Sequence, residues 1–511
     1  MKKKLVLPLC AAVALTSLTG CNGGEQSDNS EKVTLKWTMV GPAGQKDQTL
    51  VFEELNKKLK TYEGFENINL DISVVNASDY KQKFMLWQTS KEKMDIVQTY
   101  RLDYGEYAKD GSFIELDDYI KKSDDLKKSL PDFMWDYANV DGKMYYVPCY
   151  QILTNTDYSF VTPKKLADKY LDIEKAQKVM NEEATFTDAC WDVLEDYLGK
   201  LSEAGEIKMG YQPLDSLTHV LQKGFVPVGS RFFMKKDDPN HTVYYWDEVP
   251  ERINSFKRIS QLYKKGYIRS DIASAVGNDS DMVGNENGYT LWHGGLRVNE
   301  DLKKTSIESL EQKYNMELSY FMTKNYDFIP EGNAAGGMAI STLSKNPDEA
   351  FKVIELVNTE KGKDFYNMLV YGIEGKHYNK LDDGFIEPIG YTSQANSSAD
   401  YGLWKWNNGN VKYAYPIKGE IIYGDKIDEV NTSDNVEVSP LSGFVMDTSN
   451  ISTEIAQIDT VFEEYKDLNC GNRPDVETTY NEYMKKIKTA GMEKVKAELQ
   501  KQVDEFFKNK K

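Results

Sequence analysis

The sequence predicts an α/β fold with a parallel sheet near its start and a helical region at its end. Three β-branched runs near the start alternate with stretches of helical apolar spacing, a rhythm typical of βαβ units. Between residues 455 and 506 apolar side chains recur every three or four positions, and Gly491 interrupts the pattern. Apolar residues make up 40% of the chain, which is enough for large cores and excludes global disorder.

The first five elements follow directly from these patterns. Residues 33–40 (VTLKWTMV) alternate with period two, and residues 68–75 and 94–100 form similar runs, so we expect three strands. The apolar spacing of residues 51–62 predicts a helix after the first strand. Ser78 is placed to cap a second helix after the second strand.

Helix-start signals mark the middle of the chain. Thr187, Pro250 and the Asn346-Pro347 pair each precede or open an apolar stripe, which predicts a helix at each position. Residues 371–450 are poor in helical spacing and rich in Gly, Asn, Tyr and Trp. We interpret that stretch as loops and short strands near a functional surface.

The N-terminus carries an export signal. Lys2–Lys4 form a basic segment, and the apolar run 5–18 is too short to span a bilayer, which needs about 20 residues. The following Leu-Thr-Gly-Cys resembles the lipobox of bacterial lipoproteins. That resemblance implies cleavage of a signal peptide (1–20), lipidation of Cys21 and a flexible tether at 21–32. The alternative is an ordinary signal peptide with a chance cysteine.

Charge narrows the possible partners. The chain has 63 Lys and Arg against 81 Asp and Glu, a net charge of −18. Removing the leader takes away three lysines and leaves −21. Phosphate backbones and anionic lipid surfaces would repel such a chain, so nucleic acid is not an expected partner.

Motifs for covalent chemistry are missing from the sequence. It contains no P-loop, GxGxxG, HExxH or Gly-x-Ser-x-Gly pattern, and its four histidines lack metal-ligand spacing. We therefore expect no catalytic residues, no cofactor and no metal site. A glycosidase carboxylate pair and a Ca²⁺ in the loop 431–435 stay open. Cys149, Cys190 and Cys470 are expected to be buried free thiols, with one disulfide among them as the alternative.

Aromatic residues cluster where predicted strands end and loops begin. Sugar rings have apolar faces that stack on aromatic side chains and hydroxyl rims that bond to polar ones. The candidate stacking platforms are Trp37, Tyr100, Tyr150, Trp292, Trp404 and Trp406. The polar candidates are Arg101, Asp103, Gln151, His293 and Asn407.

Several segments in order resemble the family 1 extracellular solute-binding lipoproteins of bacterial carbohydrate ABC importers, in a longer Gram-positive branch with an extended C-terminal region. The matching segments are DGSFIELDDYI (110–120), DGKMYYVP (141–148), GGMAISTLSKNPDEAFKVIELV (336–357), YGIEGKHY (371–378) and AGMEKVKAELQKQVDEF (490–506). The resemblance implies a two-lobed periplasmic-binding-protein-like α/β fold of the class II type, with hinge crossings between the lobes and a helical C-terminus.

Mapped onto this chain, the resemblance gives lobe boundaries. Lobe one would be 33–147 plus 328–395, and lobe two 150–315 plus 400–511. The crossings would lie near 146–150, 321–328 and 386–401.

The resemblance also implies a function. A monomer, lipid-anchored on the extracellular face of the cell membrane, would close its lobes around an oligosaccharide and deliver it to permease subunits without covalent chemistry. Two alternatives stay open: a peptide or uronate ligand paired by Arg101, and a surface glycoside hydrolase or polysaccharide-docking protein.

Overall fold

The computed structural model describes most of the chain from residue 32 to residue 509. The described residues are 32–102, 104–153, 157–208, 210, 221–274, 289–296, 307, 311, 315–322, 327–329, 336–392, 397–418, 420, 422–432, 436–441 and 444–509. Cys21, the tether up to residue 31 and Asp103 lie outside them, as do 433–435 of the loop 431–435. No helix among the described residues is long and apolar enough to cross a membrane.

Strands and helices alternate at first, and helices dominate the end of the chain. The strands are β1 (Val33–Val40), β2 (Ile68–Val75), β3 (Ile96–Gln98), β4 (Asn139–Val140), β5 (Lys143–Met144), β6 (Tyr146–Pro148), β7 (Asp157–Pro163), β8 (Phe225–Gly229), β9 (Phe232–Lys235), β10 (Val243–Tyr245), β11 (Trp292–Leu296), β12 (Leu318–Met322), β13 (Asp327–Ile329), β14 (Gly337–Ile340), β15 (Tyr378–Lys380), β16 (Ile386–Pro388), β17 (Tyr391–Thr392), β18 (Ser397–Ser398) and β19 (Val436–Val438). The helices are α1 (Gln48–Leu59), α2 (Tyr80–Ser90), α3 (Tyr104–Lys109), α4 (Asp117–Lys122), α5 (Asp124–Ser129), α6 (Asp132–Ala138), α7 (Lys164–Tyr170), α8 (Ile173–Glu182), α9 (Asp188–Glu203), α10 (Pro250–Lys264), α11 (Pro347–Asn358), α12 (Lys363–Tyr371), α13 (Lys426–Asn431), α14 (Ser452–Tyr465), α15 (Val476–Thr489) and α16 (Met492–Asn509).

The first lobe is built on a five-stranded sheet with the order β2-β1-β3-β14-β6. β1 pairs in parallel with β2 over its full length, and in parallel with β3. The predicted βαβαβ unit is therefore confirmed, because α1 and α2 make the crossovers that parallel pairing requires. β14 arrives from far along the chain and runs antiparallel to both β3 and β6.

The core of the first lobe includes a segment that we expected in the second. Tyr401, Leu403, Val411 and Ile427 are buried in the same cluster as Trp37. The stretch 401–427 has no helical stripe to reveal this burial, because it packs through separate side chains in irregular backbone. The structure thus places the described residues between 401 and 431 on the first lobe and not with the C-terminal helices.

The second lobe combines two antiparallel sheets with helices. One sheet has the order β10-β9-β8 and the other β11-β7-β12. The apolar faces of α9 and α10 bury Trp191, Leu194 and Ile259 in one core. The C-terminal helices α14, α15 and α16 form an adjacent core with β8–β10.

Helix starts agree with the sequence signals. α9 begins directly after Thr187, α10 begins with Pro250, and α11 begins with Pro347. Gly491 separates α15 from α16. Ser78 does not cap α2, whose N-cap residue is Asp79.

Three connections between the lobes can be followed in the described part of the chain, and one of them lies away from its expected position. The first follows the buried residue Leu153, and the second runs from β12 through β13 to β14. The third contains β19, which pairs in parallel with β13. Residues 386–401, the expected third crossing, begin and end on the buried first-lobe residues Ile386 and Tyr401.

The described cysteines do not cross-link the fold. Cys149 and Cys190 are buried in the cores of different lobes, and no disulfide occurs among the described residues. Burial raises the pKa of both thiols. They act as small apolar side chains.

Candidate aromatic ligand site

Three predicted platform residues meet at one edge of the first lobe. The rings of Trp404 and Trp406 stack with centroids 5.5 Å apart and an angle of 14°. The Tyr100 ring stands edge-on to both, 4.8 Å from Trp406 and 6.5 Å from Trp404. All three side chains are half-buried, so each keeps ring surface accessible to a ligand.

The sheet positions this aromatic cluster (Tyr100, Trp404 and Trp406). Tyr100 lies two residues beyond the carboxyl end of β3, where open α/β sheets bind ligands. Trp404 directly precedes a short 3-10 helix, Lys405–Asn407, and Trp406 lies within it. Gly336 has a φ of 68°, and a Cβ there would lie 3.0 Å from the Cβ of Tyr100. Glycine at this position therefore leaves room for the tyrosine.

Arg101 borders the cluster. Its guanidinium carbon lies 5.0 Å from the Tyr100 ring centroid, and the side chain is exposed. Its backbone has a φ of 70°, in the left-handed region that non-glycine residues rarely adopt. A cation beside stacked rings offers both charge pairing and a flat guanidinium face.

A network of buried amides lies beneath the cluster. Gln98 Oε1 accepts a bond from the Val40 amide at 2.6 Å, and Gln98 Nε2 donates to Asn408 Oδ1 at 2.8 Å and to the Asn407 carbonyl. Asn408 Nδ2 donates to the Trp404 carbonyl at 2.7 Å. Gln98, Asn407 and Asn408 are all fully buried. Gln98 and Gly336 carry no signal in the sequence that marks them as site residues. The paired asparagines in WKWNNGN did offer a signal for Asn408, which was not predicted.

Three other predicted residues are buried, which corrects their proposed roles. Trp37 is completely buried in the first core, because β1 is an inner strand covered on both faces. Tyr150 is also in that core, and its hydroxyl donates to Asp428 Oδ1 at 2.8 Å. Asn407 lies under the cluster, and its Nδ2 lies 3.4 Å from the carbonyl oxygen of Val40. These side chains shape the lobe and are not ligand surfaces in this structure.

The remaining candidates lie apart from the cluster or outside the description. Gln151 is half-buried, and its carbonyl accepts a bond from Asn431 Nδ2 at 2.7 Å. Trp292 is half-buried in β11 of the second lobe, packed against the cluster that contains Val161. Asp103 and the side chain of His293 lie outside the described part of the chain. Their ligand roles stay predictions.

Polar contacts fix the loop after β1 to the segment that leads to the tryptophans. Gln45 Oε1 accepts a bond from the Gly402 amide at 2.7 Å, and Lys46 pairs with Asp400 at 2.8 Å. Asp47 contacts Lys376 at 3.0 Å and His377 Nε2 at 3.1 Å. The hydrogen bond from Lys376 is the main cause of the lowered pKa of Asp47.

His377 is held as a neutral ring in this contact. Burial lowers the pKa of His377, and the nearby Asp47 carboxylate only partly opposes the effect. The Ile373 amide donates to His377 Nδ1 at 2.9 Å, so the proton of the neutral ring sits on Nε2, which donates to Asp47.

Neither a metal cluster nor a surface cavity among the described residues supplies an alternative site. Among the described residues, no group of three His, Cys, Asp or Glu side chains could hold a metal ion. A cavity of about 460 Å³ is lined by Asp125, Lys128, Ser129, Thr359, Glu360, Lys361 and Tyr413, none of them a predicted site residue. The aromatic cluster remains the best-supported candidate site.

Comparison with solved structures shows which fold the chain has. The crystal structure of the N-glycan transport solute binding protein (NgtS) from Streptococcus pneumoniae has a TM-score of 0.69 at 24% identity, covering 94% of this chain and 100% of that chain. The substrate-binding protein FusA of the same organism, in complex with kestose, has a TM-score of 0.57 at 15% identity, covering 94% and 100%. The chain therefore has the two-lobed solute-binding protein fold, as predicted.

Sequence comparison finds a relative that is similar over nearly the full length of this chain. A Streptococcus pneumoniae protein described as a carbohydrate ABC transporter substrate-binding protein is 25% identical over 99% of this chain and 97% of its own length. Residues 440–508 match the family described as Domain of unknown function (DUF3502). This similarity over nearly the full length of both chains confirms the resemblance to extracellular solute-binding proteins seen in the sequence.

Proposed function

We propose that this protein captures an oligosaccharide between its lobes and delivers it to the permease of an ABC importer. The observation that carries the proposal is the cluster of Tyr100, Trp404 and Trp406 at the carboxyl end of β3. The stacked indoles keep accessible ring surface for the C–H face of a sugar, and Arg101 supplies polar contacts at the rim. The full-length relative, described as a carbohydrate transporter component, supports the same substrate class.

In this proposal the protein is a monomer that binds its ligand without covalent chemistry. Ligand contacts with both lobes would favour the closed state, and Trp292 in β11 is the candidate on the second lobe. Incubation with an oligosaccharide should therefore release no new reducing ends. A new reducing end would instead support the hydrolase alternative.

Calorimetric titration tests the ligand class. The panel contains mannose–GlcNAc oligosaccharides, kestose and a peptide mixture, which separate the sugar proposal from the peptide alternative. Trp406→Ala should weaken sugar binding about 10- to 100-fold, the loss expected for truncating a central aromatic anchor. Trp135→Ala is the matched control, because Trp135 on α6 is also half-buried against the first core. Equal losses for the two variants would contradict a role for the cluster.

Arg101 favours a second ligand class, an acidic sugar such as a uronate. Its exposed guanidinium beside Tyr100 is suited to a bidentate bond with a carboxylate. Arg101→Gln should then weaken binding of the acidic oligosaccharide about 10-fold or more and leave its neutral analogue nearly unchanged. Undiminished binding of the acidic sugar by the variant would remove this idea.

The same proposal places the protein on the outer face of the membrane through a lipid on Cys21. The lipobox-like Leu-Thr-Gly-Cys supports this location, and an anchor raises the effective concentration near the permease. Cys21→Ser should release the protein from the membrane fraction into the medium and abolish labelling by palmitate. Membrane retention of this variant would contradict the anchor.

A further inference from the structure

Gln98 connects the sheet to the loop that carries both half-buried indoles. Its Oε1 accepts from the Val40 amide at the end of β1, and its Nε2 reaches Asn407 and Asn408, 309 and 310 residues further along the chain. One buried side chain therefore joins β1, β3 and the tryptophan loop.

Asn408 extends this connection to the first indole. Its Oδ1 accepts from Gln98 and its Nδ2 donates to the Trp404 carbonyl at 2.7 Å. The Gln98 amide also holds the carbonyl of Asn407, the residue after Trp406. The backbone is thus fixed at Trp404 and directly after Trp406, so both indoles lie on a short segment held from beneath.

The side-chain amides of Gln98, Asn407 and Asn408 have little freedom to reorient. Both asparagines and Gln98 are fully buried, and buried donors and acceptors that lose their partner are costly. Tyr100 follows Gln98 by two residues, so the same strand end sets the ring that stands edge-on to the indoles. Movement of the Gln98 amide would change the relation between Tyr100 and both tryptophans.

We propose that Gln98, acting with Asn408, is a positioning residue that holds Trp404 and Trp406 against Tyr100 in the geometry needed to bind a sugar. This inference rests on the proposed function, since it assigns a purpose to the orientation of that site. Gln98 itself touches no ligand. Its effect passes through the loop backbone, as expected of buried residues that support a binding surface.

Two variants test the connection at different points. Gln98→Met keeps the size of the side chain and removes both polar contacts. Asn408→Asp keeps the acceptor for Gln98 and removes the donor to Trp404. Asn56→Asp is the matched control, because Asn56 joins α1 to β2 by accepting from the Leu70 amide at 2.7 Å and donating to the Leu70 carbonyl at 2.9 Å.

Two readouts keep this inference separate from the proposed function. The first is the near-ultraviolet circular dichroism of the ligand-free protein, with the contribution of the indole pair assigned by Trp404→Phe and Trp406→Phe. We expect both test variants to lose that contribution and the control to keep it. The second is calorimetric affinity for the best-binding sugar, which should fall about 10-fold in both test variants and less than about 2-fold in the control.

The outcomes are distinct. If the wild-type protein binds no sugar, the proposed function fails, while the spectrum still tests whether Gln98 orients the indoles. If the test variants keep both the wild-type spectrum and affinity, the positioning role is overturned. If the affinity falls only because less protein is folded, the positioning role is overturned as well. Asn56→Asp at equal stability is the comparison that identifies this case.

Discussion

Two buried polar networks, one in each lobe, differ in their chemistry. The first lobe uses neutral amides, Gln98 and two asparagines, beneath the aromatic cluster. The second lobe uses an ion pair, in which Arg252 Nε donates to Asp247 Oδ1 at 2.7 Å and each side chain is at most 3% exposed. Removing a charge from water costs far more than removing an amide, so the ion pair depends more strongly on its partners.

The ion pair is completed by groups from the C-terminal helices. Tyr483 on α15 donates to Asp247 Oδ2 at 2.6 Å and lies 2.6 Å from the Tyr245 hydroxyl, while Arg252 also donates to Asn469 Oδ1. Burial, with the nearby Asp247 carboxylate second, raises the pKa of Tyr483 and keeps its hydroxyl protonated. This network joins the segment 440–508 to α10. The charged network therefore holds the second lobe together, whereas the amide network supports the candidate site.

The largest expected effect follows from breaking the charged network. Arg252→Met leaves Asp247 buried without its counter-charge, so the free energy of unfolding should fall by about 3–5 kcal/mol. Denaturant titration monitored by circular dichroism measures the change.

Two further variants sharpen this measurement. Arg258→Met is the control, because Arg258 and its three partners Asp188, Asp192 and Glu195 all keep contact with water, and its loss should cost about 0–1 kcal/mol. The double variant Arg252→Met/Asp247→Leu should recover much of the stability, since no lone charge remains. A similar loss for Arg252→Met and Arg258→Met would contradict the difference between buried and exposed pairs.

Regular elements of both lobes could be predicted from the sequence, while their irregular connections could not. β1 and β2 have the predicted bounds because their alternation is local, and Pro250 and Pro347 mark helix starts for steric reasons. Trp404, Trp406 and Tyr100 were predicted because aromatic residues in a polar loop stand out. Trp37 was misassigned because a large ring in an inner strand gives the same local pattern whether it is core or cleft.

The role of Gln98 could not be predicted, for a different reason. A single glutamine at a strand end has no periodicity, and its partners Asn407 and Asn408 lie about 310 residues away in sequence. The position of the third crossing could not be predicted for the same reason, because β13 and β19 are short and their pairing is non-local. Long-range polar contacts of this kind require the folded structure.

An intermediate effect is expected where the two lobes touch. Gly105 on α3 faces Val445, and a Cβ on Gly105 would lie 1.8 Å from Val445 Cγ1. Val445 packs against the first lobe, while its neighbours Phe444 and Met446 pack in the C-terminal core. Gly105→Ala should therefore strain this contact and lower the free energy of unfolding by about 1–3 kcal/mol.

The contact can be tested by restoring space. Val445→Ala combined with Gly105→Ala should be more stable than Gly105→Ala alone, because the smaller side chain admits the new methyl group. Gly199→Ala on α9 serves as a control, because Gly199 is also a helical glycine without positive φ and its Cβ position has no neighbour nearer than 3.5 Å. If the double variant is the less stable of the two, the two residues do not meet in solution.

The smallest expected effect concerns pH and returns to the loop contacts of the first lobe. Burial lowers the pKa of His377 in the folded state, whereas the unfolded chain binds a proton near pH 6.5. Below about pH 6.5 the unfolded state therefore takes up more protons than the folded state, and the wild-type protein loses stability as pH falls through that window. Above it, the titration contributes nothing further.

His377→Asn removes this titration but not the carboxylates, so the stability advantage of the wild type over the variant should shrink from pH 7.5 to pH 5. Thermal unfolding of both proteins across this range measures the gap, with His241→Asn as a control in the second lobe. A gap that stays constant or widens as pH falls would show that His377 is not held neutral by burial, and that the loop after β1 is fixed by its other contacts alone.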